Sequence, residues 1–250
     1  MNKKIWALLL LPFVLSLSAA EAGAESIPVQ RKAVVRTAAR NPAPRASVRK
    51  PAAKSSASTE KKTGSLGPDV EVGLLSGGEV TLTGLSEFKA ESAGKVVGKY
   101  GTGTRLSITR SGNALLLNGK KAGDKVYLTT GSTAPAFAVK GNHYRGVMKV
   151  IPSTWGSGVT LVNVVPMELY VQGVVPSEIV PSWRADAIRA QAVAARTYAA
   201  FHKNGYRSAG YDVTDDTRSQ VYGGATVETE STNRAVKDTA GEIITYGGKP

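Results

Sequence analysis

The chain has 250 residues, 32 Lys and Arg against 19 Asp and Glu, a formal net charge of +13 and no cysteine. That length holds one or two domains with enough chain for a buried core. The missing thiols exclude disulfide staples, thiol nucleophiles, lipidation at cysteine and thiolate metal sites. The charge is uneven: residues 1–24 carry a net +1, residues 25–63 a net +8 and residues 64–250 a net +4. Most of the basic excess therefore sits on one short stretch, and the remaining chain is only mildly basic.

Met1-Asn2-Lys3-Lys4 precedes an apolar run from Ile5 to Leu17 and small residues through Ala24. A positive start, a run of about a dozen apolar residues and an Ala-x-Ala end describe a secretory signal over residues 1–24, with Ala22-Gly23-Ala24 the best cleavage site. The alternative is an uncleaved N-terminal anchor; in both cases the rest of the chain faces outward. Residues 25–63 lack Trp, Tyr, Phe, Leu and Met. Too little apolar area is available there to offset ordering entropy, so the segment is expected to be a disordered basic tether spanning roughly 35 Å. On an exported chain its charge suits anionic wall polymers or a membrane surface, and no nucleic acid is expected as a partner.

From Pro68 to Val165 the pattern predicts short strands broken by glycine turns: 70–75, 79–83, 105–109, 114–117, 125–129 and 147–151. Asn118-Gly119 is a strong two-residue hairpin signal. Near Pro166 the character changes. Residues 166–173 read as a short helical turn led by proline. Ser182 is a candidate N-cap for a helix from Arg184 to about Lys203, with Asp186 in its first turn. The many alanines of that helix suggest that it is buried and central. A second helix is expected over 228–239, with Gly241 near its C-cap, and then a strand over 242–246. The fold class is α+β, a β-rich half at 68–165 followed by a helix-containing part at 166–250.

Two histidines, His143 and His202, stand alone, so no metal site is expected, and no cofactor. Among the carboxylates, Glu178 stands in the mostly apolar stretch Val174-Val175-Pro176-Ser177-Glu178-Ile179-Val180-Pro181. A carboxyl held against apolar neighbours in an interhelical loop should have its pKa raised, as a general acid requires. A surface or helix-capping glutamate is the alternative reading. Asp215-Asp216 lies in a polar loop before Gln220-Val221-Tyr222, and Glu168 reads as structural.

Asn163 to Glu178 (NVVPMELYVQGVVPSE) resembles the opening motif of the stage II sporulation protein D and amidase enhancer (SpoIID/LytB) family. Ala190 to Ala199 (AQAVAARTYA) is similar to the alanine-rich helix of that family. Asp215 to Gly224 and Ala235 to Tyr246 resemble its next two blocks, and the likeness extends over roughly 68–250. It implies peptidoglycan glycan strands as substrate and lytic transglycosylase activity, with cleavage between N-acetylmuramic acid and N-acetylglucosamine and a 1,6-anhydro product. The catalytic glutamate of the family maps onto Glu178. Arg196, Tyr198, Asp215, Gln220 and Tyr222 become candidate substrate-binding residues. Some members hold zinc near the second block; the matching positions here are Thr214, Arg218 and Ser219, so no metal is implied. The family pattern also runs past Pro250, which implies a domain truncated at its C-terminus. The rival function is a non-catalytic enhancer of an N-acetylmuramoyl-L-alanine amidase, and a wall amidase or sporulation hydrolase is a partner in that reading.

Overall fold

A computed structural model describes residues 66–250. The predicted secretory signal at 1–24 and the basic tether at 25–63 lie outside the described residues. The chain begins with β1 (Asp69–Gly77) and β2 (Glu79–Gly84), then β3 (Phe88–Ser92) and β4 (Lys95–Tyr100). There follow β5 (Arg105–Ser111), β6 (Ala114–Leu117), β7 (Lys120–Gly123) and β8 (Val126–Thr129). The strand-rich part closes with β9 (Phe137–Val139), β10 (Asn142–Tyr144), β11 (Val147–Pro152) and β12 (Val159–Pro166). Two sheets result. One runs β4-β3-β8-β11-β12-β1 and is extended beyond β1 by the short β13 (Val213–Thr214); the other runs β10-β9-β2-β5-β6-β7. Every pairing is antiparallel except that of β13 with β1.

Alternation explains most of this. Val70, Val72 and Leu74 on β1, Val80 and Leu82 on β2, and Leu106 and Ile108 on β5 are buried at every second position. Their inner faces close over one shared core. The Asn118-Gly119 turn joins β6 to β7 with both residues at positive φ, +48° and +79°, as that hairpin type demands. β12 has no such alternation. Val159 to Asn163 are all buried, because β12 lies between β1 and β11 with both of its faces covered. That continuous run carries no period-2 signal, and sequence reasoning passes over it. β4 has no buried residue, and β3, β9 and β10 are only three to five residues long, so their alternation is too short to stand out in the sequence.

The helical part corrects several expectations. α1 runs over Met167–Glu178, well past the expected end at 173, with Pro176 accommodated in its last turn. It is the buried, central helix: Tyr170, Val171, Val174 and Val175 are fully enclosed. α2 (Ala185–Phe201) instead presents one stripe, Ile188, Ala192, Ala195, Arg196 and Ala199, to the interior and leaves Ala187, Ala190 and Ala194 exposed. Its N-cap is Arg184, not Ser182, and no side chain caps it. α3 covers Glu230–Asp238, and the Thr229 hydroxyl accepts a hydrogen bond from the Thr232 amide at its start. The strand expected at 242–246 is absent. The Glu242 carbonyl accepts from Arg196 and the Ile244 amide donates to Thr197 Oγ1, so this backbone is bonded to α2 side chains and not to a neighbouring strand.

Gly173 sets the depth of α1. A Cβ there would lie 2.6 Å from the Tyr222 ring and 2.8 Å from the Gly224 carbonyl oxygen, and the latter is backbone that cannot swing away. Gly173→Ala should therefore destabilise the protein by about 1–3 kcal/mol in urea unfolding, the usual range for forcing an extra methyl into a packed junction. A neutral result would show that α1 and the 222–224 segment are not in this contact.

Candidate functional site

The site is built where α1 ends. Glu178 is the last residue of α1, on the helix and not in the loop after it. Its carboxyl is exposed, so the apolar enclosure expected from its neighbours in sequence is not formed by this chain. Those neighbours point elsewhere: Val174 and Val175 turn into the core, while Val180 and Trp183 stand 51% and 55% exposed beyond the helix end. Glu178 Oε1 accepts the Val221 amide at 2.8 Å, which pins the side chain to the following loop. Among the described residues no group bonds Oε2, so one oxygen is held and the other is open.

The loop from Thr214 to Tyr222 that supplies this amide is closed on itself. Arg218 forks onto Asp216, with Nε and Nη2 within 3.0 Å of its carboxylate oxygens. The Thr214 hydroxyl donates to Asp216 Oδ1 at 3.0 Å, and Ser219 Oγ accepts the Thr214 amide at 3.1 Å. These contacts hold the Asp216 carboxyl down at about 2, first through the Arg218 hydrogen bonds. Among the described residues no cluster of His, Cys, Asp and Glu has metal-binding geometry.

Asp215 behaves oppositely. It is half-buried, its burial raises its pKa to about 6, and the neighbouring Asp216 charge pushes the same way. Its own backbone amide, Lys140 and Arg218 oppose that shift without cancelling it. Its carbonyl accepts the Tyr222 amide at 3.0 Å. Asp215 and Glu178 both act on the buried Tyr170 phenol, whose pKa rises first through desolvation and then through neighbouring negative charge. The two carboxyls therefore border one region. A carboxyl whose pKa is raised by burial, as at Asp215, is a recurring mark of functional sites.

The other candidates divide. Gln220 is buried, and its Oε1 accepts the Tyr170 hydroxyl at 3.2 Å, which fastens the loop to α1. Tyr222 is buried too; its hydroxyl donates to Asn163 Oδ1 at 2.9 Å and its ring packs against Tyr144 and Tyr170. Neither side chain has a free face for a ligand. Tyr198 is half-buried and stacks on His202 with ring centroids 3.9 Å apart. Arg196 points away from the site. It is 2% exposed and forks onto Glu168 at 2.9 and 2.8 Å, with its remaining donors on the carbonyls of Val236 and Glu242. Arg196 and Tyr222 are thus bonded into the scaffold, whereas Glu178 and Asp215 are the carboxylates of the expected set that stay at least partly exposed.

Beside Asp215 opens a groove of about 740 Å³, lined by the β1–β2 turn, the 153–158 loop and the 206–218 segment. Trp155, Tyr206, Tyr211 and Lys140 line it, and sequence reasoning singled out none of them. Tyr211 lies flat over Gly73 on β1, where a Cβ would come within 2.8 Å of the ring. A lone glycine within a strand was the available signal for such a close approach.

Residues 156–246 match the family described as Stage II sporulation protein (SpoIID). The match takes in α1, α2, α3 and the 214–222 loop, hence Glu178 and Asp215. An uncharacterized protein of Brachyspira hyodysenteriae (strain ATCC 49526 / WA1) is 40% identical over 119 residues. That alignment covers 47% of this chain and 32% of the relative, so the chain spans about a third of the protein it matches. A domain of this family suggests a function connected with sporulation or the cell wall.

Two outcomes follow from the geometry. Removing one partner of a buried ion pair leaves the other uncompensated, so Arg196→Ala should lower stability by about 3–5 kcal/mol in urea unfolding. Replacing both partners, Glu168→Leu with Arg196→Met, should recover most of that loss. For Asp215 the sign is that of an acid whose folded pKa lies above its unfolded one. The folded state binds the proton more tightly, so stability is lost as pH rises from about 4 to about 6. Asp215→Asn should raise the melting temperature at neutral pH and change it little in acid; equal shifts at both would contradict the assignment.

Proposed function

We propose, for a chain whose residues 156–246 form a Stage II sporulation protein (SpoIID) domain, that the protein is an exported peptidoglycan lytic transglycosylase with Glu178 as its catalytic carboxyl. The observation that supports this best is the state of Glu178. It stands at the end of the most deeply buried helix, one oxygen is held by the Val221 amide, and the other is free toward solvent. A side chain so held needs little reorganisation to meet a substrate oxygen, and a strand laid across it would exclude water and strengthen every hydrogen bond made there.

The chemistry needs one carboxyl used twice. Glu178, protonated, gives its proton to the glycosidic oxygen as the bond from that oxygen to the anomeric carbon of N-acetylmuramic acid breaks. The departing N-acetylglucosamine leaves with a free hydroxyl. The Glu178 carboxylate then takes the proton from the C6 hydroxyl of the muramic residue while O6 bonds to the anomeric carbon. A 1,6-anhydro end forms and Glu178 is protonated again. No water is consumed, so neither a second catalytic carboxylate nor a positioned water is required, unlike hydrolytic glycosidases.

Digestion of intact and peptide-stripped glycan strands, followed by mass spectrometry, tests this reading. The protein should produce 1,6-anhydromuramic ends, and Glu178→Gln should slow their appearance by about 10²–10⁴-fold, the usual contribution of a general acid–base group. Absence of anhydro ends from both substrates sinks the enzyme reading. If the same preparation then accelerates an N-acetylmuramoyl-L-alanine amidase, the enhancer reading takes its place. Unimpaired cleavage by Glu178→Gln would instead remove that residue from its role.

A further inference from the structure

The groove next to Asp215 is the part of the surface that the transglycosylase chemistry leaves unused. Its walls combine three kinds of group. The first is aromatic: Trp155 is 77% exposed on the 153–158 loop, and Tyr206 and Tyr211 lie nearly parallel, 22° apart with centroids separated by 5.3 Å. An exposed tryptophan on a loop held by Ser153 is not a packing residue; the Ser153 hydroxyl bonds both the amide and the carbonyl of Trp155. The second is a hydroxyl-rich rim, Ser76, Thr154, Ser157 and Thr160 among it, with Asp215 facing in. The third is charge. Arg218 is occupied by Asp216, whereas Lys140 has no ion-pair partner among the described residues. Lys140 is near enough to act on Asp215.

Flat aromatic faces match the C–H faces of pyranose rings, and carboxyl and hydroxyl groups match sugar hydroxyls. One free cation beside them fits a polymer bearing an occasional carboxylate. It does not fit a densely anionic one, which would call for a row of unpaired Lys and Arg. The volume is within the ordinary range for ligand sites and has room for more than one ring.

We propose that this groove is a saccharide subsite for the same strand that Glu178 cuts, with Trp155 as stacking platform, Asp215 as hydroxyl ligand and Lys140 as partner of the muramic carboxylate. The identity of the polymer rests on the transglycosylase reading; the residues that hold it rest on the groove. Two sequence-distant loops then grip the strand away from the cleavage point, and the grip fixes which glycosidic bond meets Glu178. The subsite makes Trp155, Asp215 and Lys140 contributors to affinity and to product length, not to bond breaking.

Binding measured in a Glu178→Gln background, where strands stay intact, tests the subsite apart from the chemistry. Calorimetric titration with peptide-stripped peptidoglycan strands should show affinity reduced roughly tenfold by Trp155→Ala, an exposed position whose change spares the fold. Asp215→Ala should weaken binding and Asp215→Asn should restore much of it, because the amide still bonds hydroxyls. Strands should bind several-fold more tightly than neutral chitin oligomers, and Lys140→Gln should abolish that preference. Parent-like binding by both Trp155→Ala and Asp215→Ala overturns the proposal, as does a preference for strands that survives Lys140→Gln. If those three variants bind and cut as the parent does, the subsite fails while the enzyme reading stands. If binding follows the expected pattern but no anhydro ends ever form, the enzyme reading fails while the subsite stands.

Discussion

Taking a guanidinium and a carboxylate out of water costs several kcal/mol per ion, and the helical part of this protein meets that cost where Arg196 forks onto Glu168. The pair is worth keeping because it joins four segments at once. Glu168 lies in the first turn of α1 and also accepts the Gly241 amide at 3.1 Å. Arg196 lies on the buried stripe of α2 and reaches the Val236 carbonyl on α3 and the Glu242 carbonyl after it. With its start clamped this way, α1 runs straight through the core and delivers its last residue, Glu178, to the surface. The position of the Glu178 carboxyl depends on that delivery.

The far end of α1 is fixed by different means. Gly173 lets Tyr222 and the 223–224 backbone close against the helix, and the Gly173 carbonyl accepts the Gly223 amide at 3.2 Å. Tyr222 in turn bonds Asn163 on β12, whose side-chain amide donates to the Arg145 carbonyl. β12, α1 and the 214–222 loop are therefore one hydrogen-bonded junction. The same loop presents the Val221 amide to Glu178 and Asp215 to the groove. A rigid sheet-backed junction that holds a loop carrying the polar groups is the usual way to combine precision with access.

Much of the fold was legible in the residues. Alternating valines and leucines mark β1, β2 and β5, and Asn118-Gly119 marks its hairpin, because each pattern answers directly to a local geometric need. β12 escaped because a strand covered on both faces has no alternation to read. α1 was read only in part, as a turn ending at 173; Pro176 removes one helix hydrogen bond, but it stands in the last turn, so little helix follows the break. α2 looked central from its alanines; the structure divides them between a buried stripe and an exposed face. For the site, Glu178 and Asp215 were visible as carboxylates in apolar and polar stretches. Whether a given carboxyl is enclosed, however, depends on segments far off in sequence: Glu178 is open although its neighbours in sequence are apolar, and Asp215 is half-buried in a polar loop. Arg196 and Tyr222 show the same limit from the other side, since polar residues inside strong motifs turned out to hold the frame. Trp155, Tyr206 and Tyr211 are brought together only by the tertiary fold.

The central claim is spatial: a glycan strand lies with its scissile oxygen at Glu178 and its further rings against the Trp155 wall. A crystal structure of the Glu178→Gln protein soaked with a peptide-stripped strand measures this directly. The account predicts a glycosidic oxygen within about 3 Å of the residue-178 side chain, a ring stacked on Trp155 and a sugar hydroxyl on Asp215. A strand seated elsewhere on the molecule, with neither contact, would contradict it.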